Sequence, residues 1–173
     1  MCCMESWQCI LGPKLSALAS QAMVKLNCLS KVTNVMAWLL KCLFKMDRSQ
    51  IQEPLQGTNI KDASLALFAV SMEHTIAALN AGNLNSLRCY VSKGILYFRE
   101  RTTKKSLLQI LGVKGLPVLA RNTRLAELIM WEANCENHRA SSSDILARSR
   151  QRVWIIRGRY LACQVCKKCP GCK

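Results

Sequence analysis

Acidic residues are scarce in this 173-residue sequence, in which ten Asp and Glu stand against 25 Lys and Arg and leave a formal net charge of +15. Such a balance favours a polyanionic partner, either nucleic acid or an anionic lipid surface. Long hydrophobic runs are also missing, since stretches such as Val35–Leu40 end at a lysine, far short of the 18 or so apolar residues that span a bilayer. We therefore expect no membrane-spanning segment.

The usual sequence marks of catalysis are absent as well. There is no glycine-rich phosphate loop, no G-x-S-x-G motif and no carboxylate pair in a catalytic setting. The N-terminus lacks the basic region of a secretory signal, so the 11 cysteines are expected to be reduced thiols rather than a disulfide framework. The sequence thus predicts a non-enzymatic protein inside the cell, in the nucleus or the cytoplasm.

Glycine and proline are missing between Pro13 and Pro54, and apolar residues recur there with a helical period. We predict one long or two consecutive amphipathic helices, which need an apolar partner surface or self-association. Further along, a helix is predicted over residues 62–79. A strand is predicted at Gly94–Phe98, with Leu116–Leu119 as its partner.

The C-terminal third reads as three short helices. The first begins near Asn122 or Thr123 and runs toward His138. The second is capped by Ser141 with the spacing of a capping box, and carries Ile145 through Trp154. The third holds Tyr160 to Cys169. Pro117, which cannot donate a backbone hydrogen bond, predicts that its strand lies at the edge of the sheet.

These elements predict a mainly α fold with amphipathic helices, a small β element and a C-terminal three-helix bundle of zinc-binding type. The expected domains are an amphipathic helical region with a linker over 1–60, a helix with the β element over 61–119, and the bundle over 120–173.

The sharpest local motif is Cys169-Pro-Gly-Cys172, a tight turn that aims two thiolates at one point, as half of a tetrahedral zinc site requires. Cys135 and His138 are the upstream candidates for the other half, because residues three apart share a helix face. Zn²⁺ is the cofactor that such a set predicts. The alternative is that all four are ordinary reduced cysteines and a surface histidine.

Positive charge is concentrated at the same end of the chain, with nine basic residues against Asp144 alone between Arg139 and Lys173. Guanidinium groups interspersed with Trp154 and Tyr160 suit phosphate contacts and stacking. The alternative is a solvated helix face over a packed tryptophan. The predicted nucleic-acid-binding residues are Arg148, Arg150, Arg152, Arg157, Arg159, Lys167 and Lys168.

Six segments follow one another in this third of the chain in an order that can be compared with known families: Leu116–Leu119, Arg124–Ile129, His138, Leu146–Arg150, Val153–Arg159 and the Cys169–Cys172 pair. This order resembles the zinc-binding N-terminal domain of retroelement integrases, particularly those of Bel/Pao-type LTR retrotransposons. The resemblance covers most of residues 25–173 and is strongest after Gly115. It implies a three-helix bundle in which H-x3-H and C-x2-C motifs hold one zinc ion. It also implies multimerisation and contact with DNA, largely through phosphates.

Three departures from the family pattern change these expectations. Asn134 stands where the first His belongs, Ala140 replaces a usual glycine, and the chain stops at Lys173, where the catalytic core would begin. We expect a fragment of a retroelement polyprotein without integrase chemistry. With His138, Cys169 and Cys172 alone, zinc is expected to bind weakly or not at all.

Cys135 could replace the lost imidazole if the end of its helix rotated. A one-residue shift turns a helix by about 100°, which favours a Cys135 that points away from the pair. Two other functions compete with the integrase module. One is a membrane-surface or organelle-targeted protein that uses the amphipathic stretch at 15–45. The other is a non-functional retroelement relic.

Overall fold

The computed structural model describes residues 7–43, 57–72, 75–76, 89–98, 115–135 and 141–172. The described chain is mainly helical and contains one small four-stranded sheet, as the sequence predicts. It divides into two compact units, Met1–Val70 and Ser71–Lys173. The boundaries predicted at residues 60 and 119 remain predictions of domain organisation.

The first unit contains helices α1 (Trp7–Lys25), α2 (Leu29–Leu43) and α3 (Gly57–Val70). Of the two alternatives predicted for this stretch, the structure has two consecutive helices rather than one long helix, because residues 26–28 are not helical. Helix α1 is kinked at Gly12, whose φ of 59° lies in the left-handed region that glycine adopts without strain. The predicted helix over 62–79 begins earlier, at Gly57, and ends at Val70, while residues 73–74 and 77–79 lie outside the described residues.

Apolar side chains from all three helices form the core of this unit. Burial of an apolar side chain contributes about 1.5–3 kcal/mol, which is the force that holds the amphipathic helices together. No described helix is long and apolar enough to cross a membrane. The buried side chains include Leu15, Met23, Val32, Met36, Leu40, Ala63, Ala66 and Leu67.

The second unit is built on strands β1 (Cys89–Ser92), β2 (Ile95–Phe98), β3 (Leu116–Leu119) and β4 (Trp154–Ile155), which lie in that order in the sheet. Strands β1 and β2 form a hairpin whose two turn residues, at 93 and 94, have φ values of 51° and 77°. This conformation suits the right-handed twist of the strands. The predicted pairing of the 95–98 and 116–119 segments is confirmed, and it is antiparallel.

Two sequence-based expectations about this sheet are wrong. Pro117 does not make β3 an edge, since β4 pairs with β3 in parallel. That pairing involves only Val118 and Leu119, so it stops short of the proline. Trp154 does not belong to the preceding helix but lies in β4, where its ring stacks on Phe98 at 4.4 Å between centroids.

Three helices complete the second unit: α4 (Arg124–Cys135), α5 (Ser142–Ser149) and α6 (Gly158–Lys168). Each packs against the other two, as the predicted bundle requires. The caps are also as predicted. The Thr123 hydroxyl accepts from the backbone N–H of Ala126 at 3.3 Å, and Ser141 forms a capping box with Asp144. A short 3₁₀ turn, Pro170–Cys172, follows α6.

Candidate nucleic-acid interface and cysteine cluster

The last turn of α4 places Asn134 against the C-terminal cysteines. Asn134 is 1 % exposed, and its Oδ1 accepts a hydrogen bond from Cys172 Sγ at 3.2 Å across 38 residues of sequence. Its Nδ2 is buried and has no hydrogen-bond partner among the described residues. The amide does face the Cys169 thiol, so the buried Nδ2 is not isolated from a polar neighbour.

The end of α6 and the 3₁₀ turn bring the two motif cysteines together. The backbone N–H of Cys169 donates to the carbonyl of Val165 at 3.0 Å, and that of Cys172 to the carbonyl of Cys169 at 3.3 Å. The Asn134 amide, and after it the Cys172 thiol, lower the pKa of Cys169. Burial, and then the neighbouring Cys172 and Cys163, raise the pKa of Cys166.

Cys135 does not join this cluster. Its side chain is exposed, whereas the neighbouring Asn134 is buried against Cys172, as the rotation of about 100° per helical residue requires. Within the described ranges, no three His, Cys, Asp or Glu residues come together as a metal-binding group. His138 lies outside the described residues.

The exposed face of α6 gathers four of the predicted binding residues. Arg157 directly precedes the helix, Arg159 lies in its first turn, and Lys167 and Lys168 in its last. All four are exposed. We call this surface, together with Arg121 and Tyr160, the α6 basic surface.

Tyr160 lies in the first turn of α6 and shares a face with Lys167. Tyr160 and Lys167 lie within about 20° of each other around the helix and about 10 Å apart along it. The Tyr160 side chain is 55 % exposed, the largest exposure of any aromatic ring among the described side chains. Arg121, in the turn between β3 and α4, places its guanidinium carbon 4.8 Å from the centroid of the Tyr160 ring.

Sequence reasoning missed Arg121, because nothing local connects it with the basic run at 148–168. A sequence signal does exist. Arg121 lies two residues before the helix cap Thr123, in the turn after a buried strand, where a long cation projects outward. Only the return of α6 to that turn places it on the same surface as Tyr160.

The other predicted residues, at the end of α5 and just after it, are differently placed. Arg148 lines a small pocket with Ile129 and Ala133. Arg150 lies over the Trp154 ring at 5.0 Å, and Arg152 forms an ion pair with Glu132. These cations are already engaged within the unit, and we regard them as weaker candidates for phosphate contacts than those on α6.

The described carboxylates of the second unit lie away from the α6 basic surface. Glu127 pairs with Arg124, and Glu132 with Arg152. Asp144 accepts hydrogen bonds from Ser141, which lower the pKa of its carboxyl group. No described carboxylate therefore forms an ion pair with a cation of the α6 basic surface.

The first turn of α6 places positive side chains at the positive end of the helix dipole. Arg157, the N-cap residue, adopts a left-handed conformation with φ 54° and ψ 34°, and its side chain caps no backbone N–H. The first turn contains no acidic residue but does contain Arg159. Cations at a helix N-terminus oppose the helix dipole, by about 0.3–1 kcal/mol each at a surface. A phosphate near this turn would relieve that repulsion.

Comparisons with known proteins add no relative to this picture. No family model matches the chain, and neither the curated proteins nor the solved structures give a match.

Proposed function

We propose that this protein is a non-catalytic, nucleic-acid-associated module that binds DNA phosphates through the α6 basic surface. The observation that carries the proposal is the group of exposed cations on and beside α6, none of which is paired with a described carboxylate. Phosphate contacts along the length of α6 would span about 10 Å of a nucleic-acid strand, which is about three nucleotides of a duplex.

The binding mode follows from the chemistry of this surface. Lysine and arginine side chains on an exposed helix contact phosphate oxygens, which carry no sequence information. Affinity should therefore arise largely from counterion release and show little sequence preference. Salt dependence is the property that distinguishes this mechanism from apolar association.

The integrase-type identity of the bundle remains part of the proposal. It is supported by Asn134, which corresponds by resemblance to the family's first His and lies buried against Cys172. A ligand at that position would face the cysteine turn. We propose a descendant of a zinc-binding domain in which the loss of this imidazole has weakened or abolished metal binding.

The test is a salt titration of DNA binding by the full chain. Fluorescence anisotropy with a labelled duplex should give a logarithmic affinity that falls linearly with the logarithm of salt concentration. The double variant Lys167→Ala/Lys168→Ala should weaken binding and reduce the slope by about 0.9 for each phosphate that the protein no longer neutralises. The matched control, Lys14→Ala/Lys25→Ala, removes two exposed lysines of the first unit and should change the slope little.

Two outcomes would overturn the proposal. One is the absence of duplex binding at low salt. The other is binding that is insensitive to salt, or that weakens equally in the α6 double variant and in its control.

A membrane-surface function is the second candidate, because Leu18, Val24, Val35 and Trp38 are exposed on the first unit. Most of the apolar stripe is nevertheless buried against α3 and is therefore unavailable to lipid. Sedimentation with anionic vesicles tests the alternative. Vesicle binding that Val35→Ser/Trp38→Ser abolishes would favour it over the nucleic-acid proposal.

A further inference from the structure

The stacked pair of Arg121 and Tyr160 adds a second kind of contact to the α6 basic surface. We infer that Tyr160 is a stacking position for an unpaired nucleic-acid base, so that the protein prefers single-stranded nucleic acid, or an open strand end, to a closed duplex. This inference rests on the proposed function and goes beyond it by naming the form of nucleic acid that the surface recognises.

The position of the ring carries the first part of the argument. A tyrosine that is 55 % exposed in the first turn of a helix contributes little to the core, and the hydrophobic residues of α6 that do pack lie on the opposite face. An aromatic ring can stack on a base only through an open π-face, and every base offers a π-face of its own. Among the described aromatic side chains of this unit, Tyr160 alone is exposed.

The cations around the ring carry the second part. The Arg121 guanidinium lies over one face of the ring, 4.8 Å from its centroid, and holds the ring, so that a base would stack on the other face. Arg159 precedes Tyr160 in the chain and lies about 100° from it around the helix, and Lys167 lies about two turns further along the face of Tyr160. A strand that placed one base on Tyr160 would therefore meet positive charge on both sides of that nucleotide.

Duplex DNA cannot use this ring in the same way, because its bases are already stacked and paired. It would retain the phosphate contacts and forgo the stacking interaction. Base–aromatic stacking is worth a factor of at least about five in affinity when measured by alanine substitution. The surface should therefore discriminate between single strands that carry the same backbone charge but differ in whether they offer a base to the ring.

The experiment compares three labelled 12-nucleotide probes with the full chain at constant salt: a single strand of adenines, a duplex, and a backbone of abasic sugars. The wild-type chain should bind the adenine strand more tightly than the abasic strand. Tyr160→Ala should lower affinity for the adenine strand by at least about five-fold and leave the abasic strand unchanged. Tyr160→Phe, which keeps the ring, should retain the preference.

Two measurements distinguish stacking from a merely structural role. The salt slope of Tyr160→Ala should equal that of the wild type, since no phosphate contact is removed. Trp38→Ala is the matched control, because it also removes an exposed ring with a cation over it, Lys41 at 5.2 Å, but in the first unit. It should leave all three affinities unchanged.

Failure of the inference is separable from failure of the proposed function. If the chain binds all three probes and Tyr160→Ala changes none of them, or weakens all of them equally, stacking is wrong while phosphate binding stands. If no probe binds at low salt, both are wrong.

Discussion

One hydrogen bond joins Cys172 to Asn134, so the side chain at position 134 lies at the cysteine turn and affects its chemistry. The amide contacts both motif cysteines, since its oxygen accepts from Cys172 and the amide lowers the pKa of Cys169. An imidazole at the same position would place a nitrogen beside two sulfurs, a combination that suits zinc. At this scale the chemistry depends on a single side chain.

The corresponding prediction concerns zinc content. Asn134→His should raise the zinc retained by the full chain after dialysis, relative to the wild type, because it supplies a nitrogen ligand next to Cys169 and Cys172. Metal binding should also raise the thermal midpoint, since such sites couple binding to folding. Cys135→Ser is the control, and we expect no change because Cys135 is exposed and lies outside the cluster.

Zinc retention that is unchanged in Asn134→His would contradict the assignment of position 134. Retention by the wild type that Cys135→Ser abolishes would instead identify Cys135 as a ligand.

The strands of the second unit depend on the close approach of neighbouring backbone segments as well as on the pattern of apolar residues. Gly115 precedes β3 at the point where the chain meets the end of β2. A Cβ atom there would lie 2.6 Å from the backbone carbonyl oxygen of Phe98, closer than any side-chain adjustment could relieve. Glycine is therefore required by strand packing at this position.

Gly115→Ala should consequently destabilise the β2–β3 pairing. We expect a loss of about 1–3 kcal/mol, the usual cost of forcing an extra methyl group into a packed position. Urea unfolding followed by circular dichroism measures it. Gly57→Ala is the matched control, because a Cβ there meets nothing within 4 Å and its φ is ordinary, so its unfolding midpoint should not fall. Equal effects of the two substitutions would show that strand packing at Gly115 is not tight.

At the scale of the whole molecule, the chain folds as two compact units, and its charged residues are divided between them. Each has its own buried residues, with Met36 at 1 % exposure in the first unit and Leu125 at 2 % in the second. The α6 basic surface belongs entirely to the second unit. Stability of the first unit and nucleic-acid binding should therefore vary independently.

Met36→Ala tests this independence. It should lower the stability of the first unit by about 2–5 kcal/mol, because it leaves a cavity in a fully buried position. Hydrogen exchange should show faster exchange in α1–α3 and unchanged exchange in α4–α6. Affinity for DNA should remain at the wild-type level. A parallel loss of protection in α4–α6, or of DNA affinity, would show that the units fold as one.

What the sequence alone determined is mainly local. The apolar period predicts α1 and α2, the capping box predicts α5, and the C-x-x-C motif predicts the turn at Cys169–Cys172. These signals act over a few residues, through helical periodicity and side-chain-to-backbone hydrogen bonds, so they can be read without knowledge of the fold. The concentration of positive charge at the C-terminal end is likewise a property of the sequence.

Tertiary structure decided which of these local features meet. The pairing of β4 with β3 took Trp154 out of a helix, because the run Val153–Ile156, although rich in β-branched and aromatic residues, is too short to be assigned as a strand without its partner. The Glu132 carboxylate paired with Arg152, while the turn at Arg121 was brought to Tyr160. Each of these contacts joins segments far apart in the chain, and their closeness follows from how the helices and the sheet pack, which no local pattern encodes.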